Sequence, residues 1–226
     1  DPGVQYILVK TDGASTSLTK LEELRKALTD FRKSGKAVIA YGEAFTSGSY
    51  YLASVADKIY TTRHHGGNNF MLGISGRMLF LKDLLDKLGV NYQLIRHGKY
   101  KSAGEMYVKN APSPENMLQN QEMIDSMWET IASETAESRG LSVDSLNFFI
   151  DNLSINLSGD MVQHKLADEA FTVEEYKEKL ASLAGKDSYK DVSFIMFPEY
   201  VAAKVKPELG AKDKIAVIYA NGDIVE

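Results

Sequence analysis

The sequence predicts an α/β fold in which parallel strands are joined by helical crossovers. Short apolar runs of strand length alternate along the chain with longer segments whose apolar residues recur every three or four positions. That alternation is typical of parallel pairing, because a crossover helix returns the chain to the same end of the sheet. The chain has 226 residues, of which 44% are hydrophobic and 25% are charged, so it can bury one substantial core.

The first part of the chain predicts three strands and the helices between them. The strands are an apolar run at 4–9 and the segments at 37–41 and 58–62. The first helix begins after Ser17 or Thr19 and ends near Gly35. Its apolar face consists of Leu21, Leu24, Leu28 and Phe31. A short helix at 49–56 precedes the third strand.

The remainder continues the pattern less regularly. A helix is predicted over 78–88 from one apolar face, formed by Met78, Leu81, Leu84, Leu85 and Leu88. A strand follows at 92–95, and a long helix spans 114–139 with a proline in its first turn. A helix is also predicted at 173–184, and a polar linker begins at 185.

A lysine lies between small residues just after the apolar run at 92–95, in the segment GKYKSAGE that ends at Glu105. An exposed ammonium has a pKa of about 10.4, but enclosure in a folded site can lower that pKa by several units and make the amine a base. Spacing alone is equally compatible with a solvated surface lysine, and it does not separate Lys101 from Lys99.

This segment, together with SGSYYLASVADKIY at 47–60 and LFLKDLLDKLGV at 79–90, resembles the first half of bacterial signal peptide peptidase A, or protease IV. The resemblance covers nearly the whole chain, and from it a short helix and a strand are predicted within 162–170. It implies an α/β fold of the crotonase/Clp-protease type, a spiral of strand-helix repeats. It also implies a Ser-Lys dyad whose general base is the lysine directly before a serine, which is Lys101 here, whereas Lys99 falls outside the motif.

The same resemblance implies a domain organisation. Residues 1–184 would form the lysine-donating domain, 185–213 a connecting segment, and 214–226 the first strand of a truncated second domain. In the family the nucleophilic serine belongs to the second domain, so the isolated chain is expected to be inactive. The family also implies signal peptides as substrates, a homo-oligomer, no cofactor, and an anchor outside this chain that holds the catalytic part at the extracytoplasmic side of the bacterial inner membrane.

A rival prediction places the nucleophile within this chain. Ser47 stands where the family's second domain carries its serine, and it precedes Lys101 by 54 positions, a distance at which single-domain relatives combine both groups. Its surroundings argue against that role, because Thr46 and Ser49 replace smaller residues of the family pattern. The loop that begins at Asp12 also lacks the paired glycines that allow backbone to approach an oxyanion. The alternative role for Ser47 is helix capping or another structural contact.

Two other classes of function stay open: a crotonase-like acyl-CoA enzyme and a non-catalytic scaffold for oligomerisation. Further classes are disfavoured by composition. The net charge of −5 disfavours a nucleic-acid partner, and the absence of cysteine excludes disulfides and thiolate metal sites. The pair His64 and His65 suggests a metal loop, but adjacent side chains point in different directions and no acidic partner follows at a useful spacing. We therefore expect no metal and a polar surface loop.

Overall fold

The computed structural model describes residues 1–13, 16–64 and 68–204, with positions 216, 218, 219 and 222, and these include one sheet of four parallel strands. The strands lie in chain order and are β1 Tyr6–Lys10, β2 Ala37–Gly42, β3 Lys58–Thr62 and β4 Glu169–Phe171. The predicted α/β class with parallel pairing is confirmed, as are the three strands predicted in the first part of the chain. The strand predicted within 162–170 corresponds to β4.

Helices form the crossovers and cover the sheet. In the described part of the chain they are α1 Leu18–Arg32, α2 Ser47–Ala53, α3 Lys82–Lys87, α4 Glu105–Val108, α5 Pro114–Arg139, α6 Val143–Asp151, α7 Ser158–Gln163, α8 Val173–Leu183 and α9 Phe197–Lys204. None of them is both long enough and apolar enough to cross a membrane. Their boundaries follow local signals: Ser113 caps α5 by accepting a hydrogen bond from the Asn116 amide, and Gly140 ends it in the left-handed conformation.

The chain divides into two compact units, Asp1–Lys177 and Glu178–Glu226. The first unit contains the whole sheet and the helices from α1 to α7. The second contains the last residues of α8, a short 3-10 turn at Tyr189–Asp191, and α9. Of the strand predicted over 214–226, the structure describes only four positions, and the rest lies outside the described residues.

The hydrophobic core of the first unit joins the sheet to α2, α5 and α6. Its strand residues include Val38, Ala40 and Ile59, all fully buried, and its helical residues include Tyr50, Ala53, Ala132, Ala136 and Leu146. The ring of Tyr50 packs edge-on against Phe45 at 5.5 Å between centroids, and its hydroxyl donates to the Leu166 carbonyl at 2.6 Å. Because α2 is buried on this scale, the position of its first turn is fixed by the core.

A buried arginine links three helices of this unit. Arg25 of α1 is 6% exposed, and its guanidinium lies over the Tyr51 ring at 4.2 Å from the centroid. It donates to the Tyr51 carbonyl and to Ser54 Oγ at the end of α2, and to Glu134 and Ser138 on α5. The Arg25 side chain therefore connects α1 to polar groups of α2 and α5.

Two sequence predictions are wrong in the region before α4. The predicted strand at 92–95 is irregular chain: Tyr92 stacks on Tyr107 at 4.7 Å between ring centroids, and Ile95 is 95% exposed. The predicted helix at 78–88 shrinks to the six residues of α3, and Leu79, Leu84 and Leu88 stay more than half exposed. Apolar periodicity indicates which side chains share one face of a helix, but it does not indicate whether another element covers that face.

Candidate active site

The candidate lysine, Lys101, lies in the irregular segment between α3 and α4. The Lys101 amide donates to the Gly98 carbonyl at 3.2 Å, which closes a turn, and Gly98 adopts a φ of +94° that favours glycine. From the other side, Arg96 Nη1 donates to the Lys101 carbonyl at 3.3 Å. The backbone of Lys101 is thus held at both its N–H and its C=O, while its side chain is exposed.

The two neighbouring lysines differ in their surroundings. The Lys99 ammonium lies over the ring of Tyr100, at 5.2 Å from the centroid, in cation–π geometry. Within the part of the chain that the structure describes, the Lys101 amine has no hydrogen-bond or ion-pair partner. The structure therefore distinguishes the two residues as the sequence motif does, with Lys101 carrying the uncommitted amine.

A buried carboxylate is connected to this loop through Arg96. Glu105, the first residue of α4, has no exposed surface, and both of its carboxylate oxygens have partners. Oε1 pairs with Arg96 at 2.8 Å and with Lys109 at 3.4 Å. Oε2 accepts from the Ser113 amide at 3.0 Å and from Asn116 Nδ2 at 3.2 Å. The carboxylate therefore connects the lysine loop to the start of α5.

These partners determine the protonation of Glu105. Burial by itself raises the pKa of this carboxyl, but the hydrogen bonds from Ser113, Asn116 and Arg96 outweigh burial and lower the pKa to about 2 from an ordinary value of 4.5. A folded-state pKa below the unfolded one stabilises the fold at every pH above the unfolded value. That contribution is lost as the pH falls from about 4.5 towards 2.

We therefore expect Glu105→Gln to lower the free energy of unfolding of this chain by about 2 to 3 kcal/mol at pH 7, because a neutral amide replaces a charged acceptor. The difference from wild type should narrow between pH 4.5 and pH 2, where the wild-type carboxylate becomes protonated. Urea unfolding at a series of pH values measures both. The exposed Glu23→Gln is the matched control and should change the unfolding free energy by less than about 0.5 kcal/mol. A difference for Glu105→Gln that stays constant down to pH 2 would contradict this account.

Ser47 occupies the first position of α2, and its hydroxyl is engaged. It accepts from the Leu72 amide at 2.9 Å and donates to the Leu72 carbonyl, so it holds the extended chain that runs beside the start of this helix. The N-cap is its neighbour Thr46, which exchanges capping hydrogen bonds with Ser49. The structure thus gives Ser47 a structural contact, with the capping done by Thr46, and records no contact between Ser47 and Lys101.

The loop after β1 is hydrogen-bonded to the chain that follows β2. Asp12 Oδ1 accepts from the amides of Glu43 and Ala44, at 2.7 and 3.4 Å, which follow β2. Gly13 adopts a φ of +72°, and Ala14 lies outside the described residues. The Asp12 carboxylate therefore links the loop after β1 to the chain that follows β2.

The histidine loop is described only in part. His64 donates its amide to Thr62 Oγ1 at 3.2 Å, and His65 lies outside the described residues. Among the residues that are described, no three acidic or histidine side chains are grouped so that they could hold a metal ion.

Sequence reasoning missed the network under the lysine loop. Arg96 and Glu105 were not singled out, although one signal was available: Glu105 is the single acidic residue in the basic stretch from Arg96 to Lys109. An isolated carboxylate among cations predicts ion pairing. It does not predict burial, because burial depends on the approach of Ser113 and Asn116 from the next helix.

Comparison with known proteins identifies the family. The model of peptidase family S49 matches residues 30–187. The chain is 30% identical over 218 residues to Protease 4 of Haemophilus influenzae, an alignment that covers 92% of this chain and 35% of that protein. It is 32% identical over 213 residues to Protease 4 of Salmonella typhi, covering 89% and 33%. It is also 25% identical over 231 residues to the chloroplastic serine protease SPPA of Arabidopsis thaliana, covering 99% and 33%.

The chain spans about a third of the length of each of these three relatives. The family match confirms the resemblance to signal peptide peptidase A, and with the parallel sheet it confirms the predicted crotonase/Clp-protease type of α/β fold. The segment that carries Lys101 lies well inside the matched range. This chain belongs to peptidase family S49.

Proposed function

We propose that this chain is the lysine-donating part of a serine protease that hydrolyses signal peptides. Lys101 acts as the general base of a Ser-Lys dyad, and the nucleophilic serine lies on a second domain outside this chain. The observation that carries the proposal is the amine of Lys101, which has no partner in the described structure. The backbone N–H and C=O of the same residue are both hydrogen-bonded, and the chain belongs to family S49. Such an arrangement supplies one half of a proton-transfer pair.

The chemistry asks two things of the lysine. Its amine has to reach a serine hydroxyl within about 2.6 to 3.2 Å, and it has to be uncharged to accept the proton when the hydroxyl attacks the peptide carbonyl. In the exposed position that it has in this chain, Lys101 is solvated. Docking of the second domain would remove water from the amine, and desolvation disfavours the charged ammonium form. The ammonium would give this proton to the leaving amine as the peptide bond breaks. The neutral amine would then accept a proton from the deacylating water and pass it to the serine oxygen as the acyl-enzyme is hydrolysed.

Ser47 has no catalytic part in this proposal. Its hydroxyl proton is donated to the Leu72 carbonyl, so this hydrogen bond would have to break before a base could accept that proton. The loop that begins at Asp12 also lacks the paired glycines of the family pattern, which allow backbone to approach an oxyanion. The catalytic serine and the oxyanion donors are therefore assigned to the second domain.

Signal peptides as substrates, an oligomer, and an extracytoplasmic site at the bacterial inner membrane complete the proposal. They follow from likeness to the signal peptide peptidase A family. No cofactor enters the reaction, because the serine, the lysine and water supply every bond that forms and every proton that moves. An acyl-CoA enzyme of crotonase type would instead bind CoA, which distinguishes the two classes in a simple binding assay.

The test is hydrolysis of a fluorogenic signal-peptide substrate by the full-length protein, by its Ser47→Ala variant and by this chain alone. We expect the full-length protein to cleave the substrate, Ser47→Ala to retain most of the turnover, and the isolated chain to be inactive although folded by circular dichroism. Cleavage by the isolated chain that disappears with Ser47→Ala would instead establish a complete dyad within this chain. Absence of cleavage by a folded full-length protein that binds CoA would favour the acyl-CoA class.

A further inference from the structure

The lysine loop has little structure of its own, and this raises the question of what aligns Lys101. Between Arg96 and Glu105 the chain forms no helix or strand, and its internal backbone hydrogen bonds are those of short turns. A general base has to be held within a fraction of an ångström, and misplacement by about 1 Å can lower a rate by about 100-fold. A flexible lysine stem on such a loop needs an anchor at its backbone.

The anchor visible in the structure is Arg96. Its Nη1 atom donates both to Glu105 Oε1, at 2.8 Å, and to the Lys101 carbonyl, at 3.3 Å. One guanidinium nitrogen therefore joins the backbone of the candidate base to a buried carboxylate. The planar guanidinium suits this role, since its donors are fixed in direction and it stays charged at any physiological pH.

Glu105 in turn is fixed by α5. Its second oxygen accepts from the Ser113 amide and from Asn116 Nδ2, both of which are buried at the start of that helix. Further along, α5 contributes Ala132 and Ala136 to the core of the first unit. A continuous series of contacts therefore runs from the core through α5, Glu105 and Arg96 to the carbonyl of Lys101.

We propose that Arg96 and Glu105 are positioning residues for Lys101: the buried carboxylate orients the arginine, and the arginine fixes the backbone from which the catalytic amine extends. This inference rests on the proposed function, because it gives the pair a role in the reaction of Lys101. It assigns neither residue a contact with substrate. Burying a charged carboxylate costs desolvation free energy, and a connection between two short segments does not by itself require a charge.

Lys109 provides a matched control for Arg96. It pairs with the same carboxylate oxygen, at 3.4 Å, and the structure records no contact between it and Lys101. Arg96→Gln and Lys109→Gln each remove one positive charge from the same carboxylate oxygen. Arg96→Gln in addition removes a 2.8 Å hydrogen bond to Glu105 and the guanidinium donor to the Lys101 carbonyl. A general effect of weakening Glu105 should appear in both variants, whereas loss of alignment should appear in one.

The experiment measures kcat and KM of the full-length protein on the fluorogenic signal-peptide substrate across a range of pH. For Arg96→Gln we expect kcat to fall by roughly 10- to 100-fold with KM little changed. The acid limb of its pH profile should move to higher pH, because a displaced amine is less desolvated and holds its proton more tightly. Arg96→Lys, which keeps the charge, should recover part of the loss, and Lys109→Gln should stay within about twofold of wild type.

Lys101→Ala in the same assay separates the two proposals. If Lys101→Ala keeps wild-type turnover, the proposed function itself is wrong. If Lys101→Ala is inactive while Arg96→Gln keeps the wild-type kcat and pH profile, the positioning role is overturned and the proposed function stands. Equal losses in Arg96→Gln and Lys109→Gln would also overturn it, because the effect would then follow from a lost positive charge beside Glu105 and not from the hydrogen bond to the Lys101 carbonyl. Circular dichroism confirms that each variant is folded.

Discussion

Replacing Lys101 with alanine in the full-length protein is expected to lower kcat for signal-peptide hydrolysis by about 100- to 10,000-fold, the usual contribution of a general base. The loss should fall on the chemical step, since in the proposed mechanism the side chain takes a proton from the attacking serine and has no part in holding the peptide. KM should therefore change little, and a single-turnover measurement of acyl-enzyme formation should show the same reduction as kcat.

Lys99→Ala is the matched control for this prediction. Lys99 has the same charge and lies two positions away, but its ammonium is engaged with the Tyr100 ring and lies outside the family motif. We expect its removal to leave kcat within about threefold of wild type, since exposed interactions of this kind contribute little. A large loss with Lys99→Ala and none with Lys101→Ala would transfer the base to Lys99. Full activity in both variants would favour the non-catalytic scaffold.

The largest effect on stability is expected from Arg25→Ala. Truncation removes the guanidinium from the Tyr51 ring and leaves the Tyr51 carbonyl and the Ser54 hydroxyl, both buried, without this donor. The Glu134 side chain is 45% exposed and stays solvated, so the cost comes from the lost hydrogen bonds and the lost cation–π contact and amounts to about 2 to 4 kcal/mol. Because typical domains are stable by only about 5 to 15 kcal/mol, a large share of the total would be lost.

Urea unfolding followed by circular dichroism measures this change. Lys26→Ala, on the next residue of the same helix, is the control, because its side chain is exposed and alanine is the better helix former. We expect its unfolding free energy to stay within about 0.5 kcal/mol of wild type. A loss of less than about 1 kcal/mol in Arg25→Ala would mean that solvent replaces the arginine, contrary to the buried network described above.

The sequence was sufficient for those elements whose signals are local. The strand at 37–41 is an apolar run, and the strand at 58–62 is rich in β-branched and aromatic residues. The helix α5 is delimited by a serine cap, a proline and a closing glycine. The prediction of a strand at 92–95 was wrong, because the ring of Tyr92 packs on Tyr107 of α4 instead of on a neighbouring strand. A β-like run becomes a strand only when a second strand lies beside it, and that condition is tertiary.

The candidate site was predictable to a similar degree. The motif around Lys101 was sufficient to select that lysine over Lys99, through likeness to a family. Its supporting carboxylate was not found, because Glu105 acquires its role from groups 8 and 11 positions further along the chain. The contact between Ser47 and Leu72, 25 positions apart, was equally hidden, since a hydroxyl in a sequence carries no information on its acceptor.

The topology of the sheet has a consequence for how the chain folds. Ile39 of β2 and its register partner Lys58 are 19 positions apart, whereas Tyr60 of β3 and its partner Glu169 are separated by 109. Closing the longer loop costs about 1.5 kcal/mol more in chain entropy, since that cost grows with the logarithm of loop length. The strands β1 to β3 can therefore pair early, while β4 joins late and leaves one edge of β3 unpaired in the meantime. Exposed strand edges promote intermolecular pairing, so refolding at high concentration should lose material to aggregation before this last strand is in place.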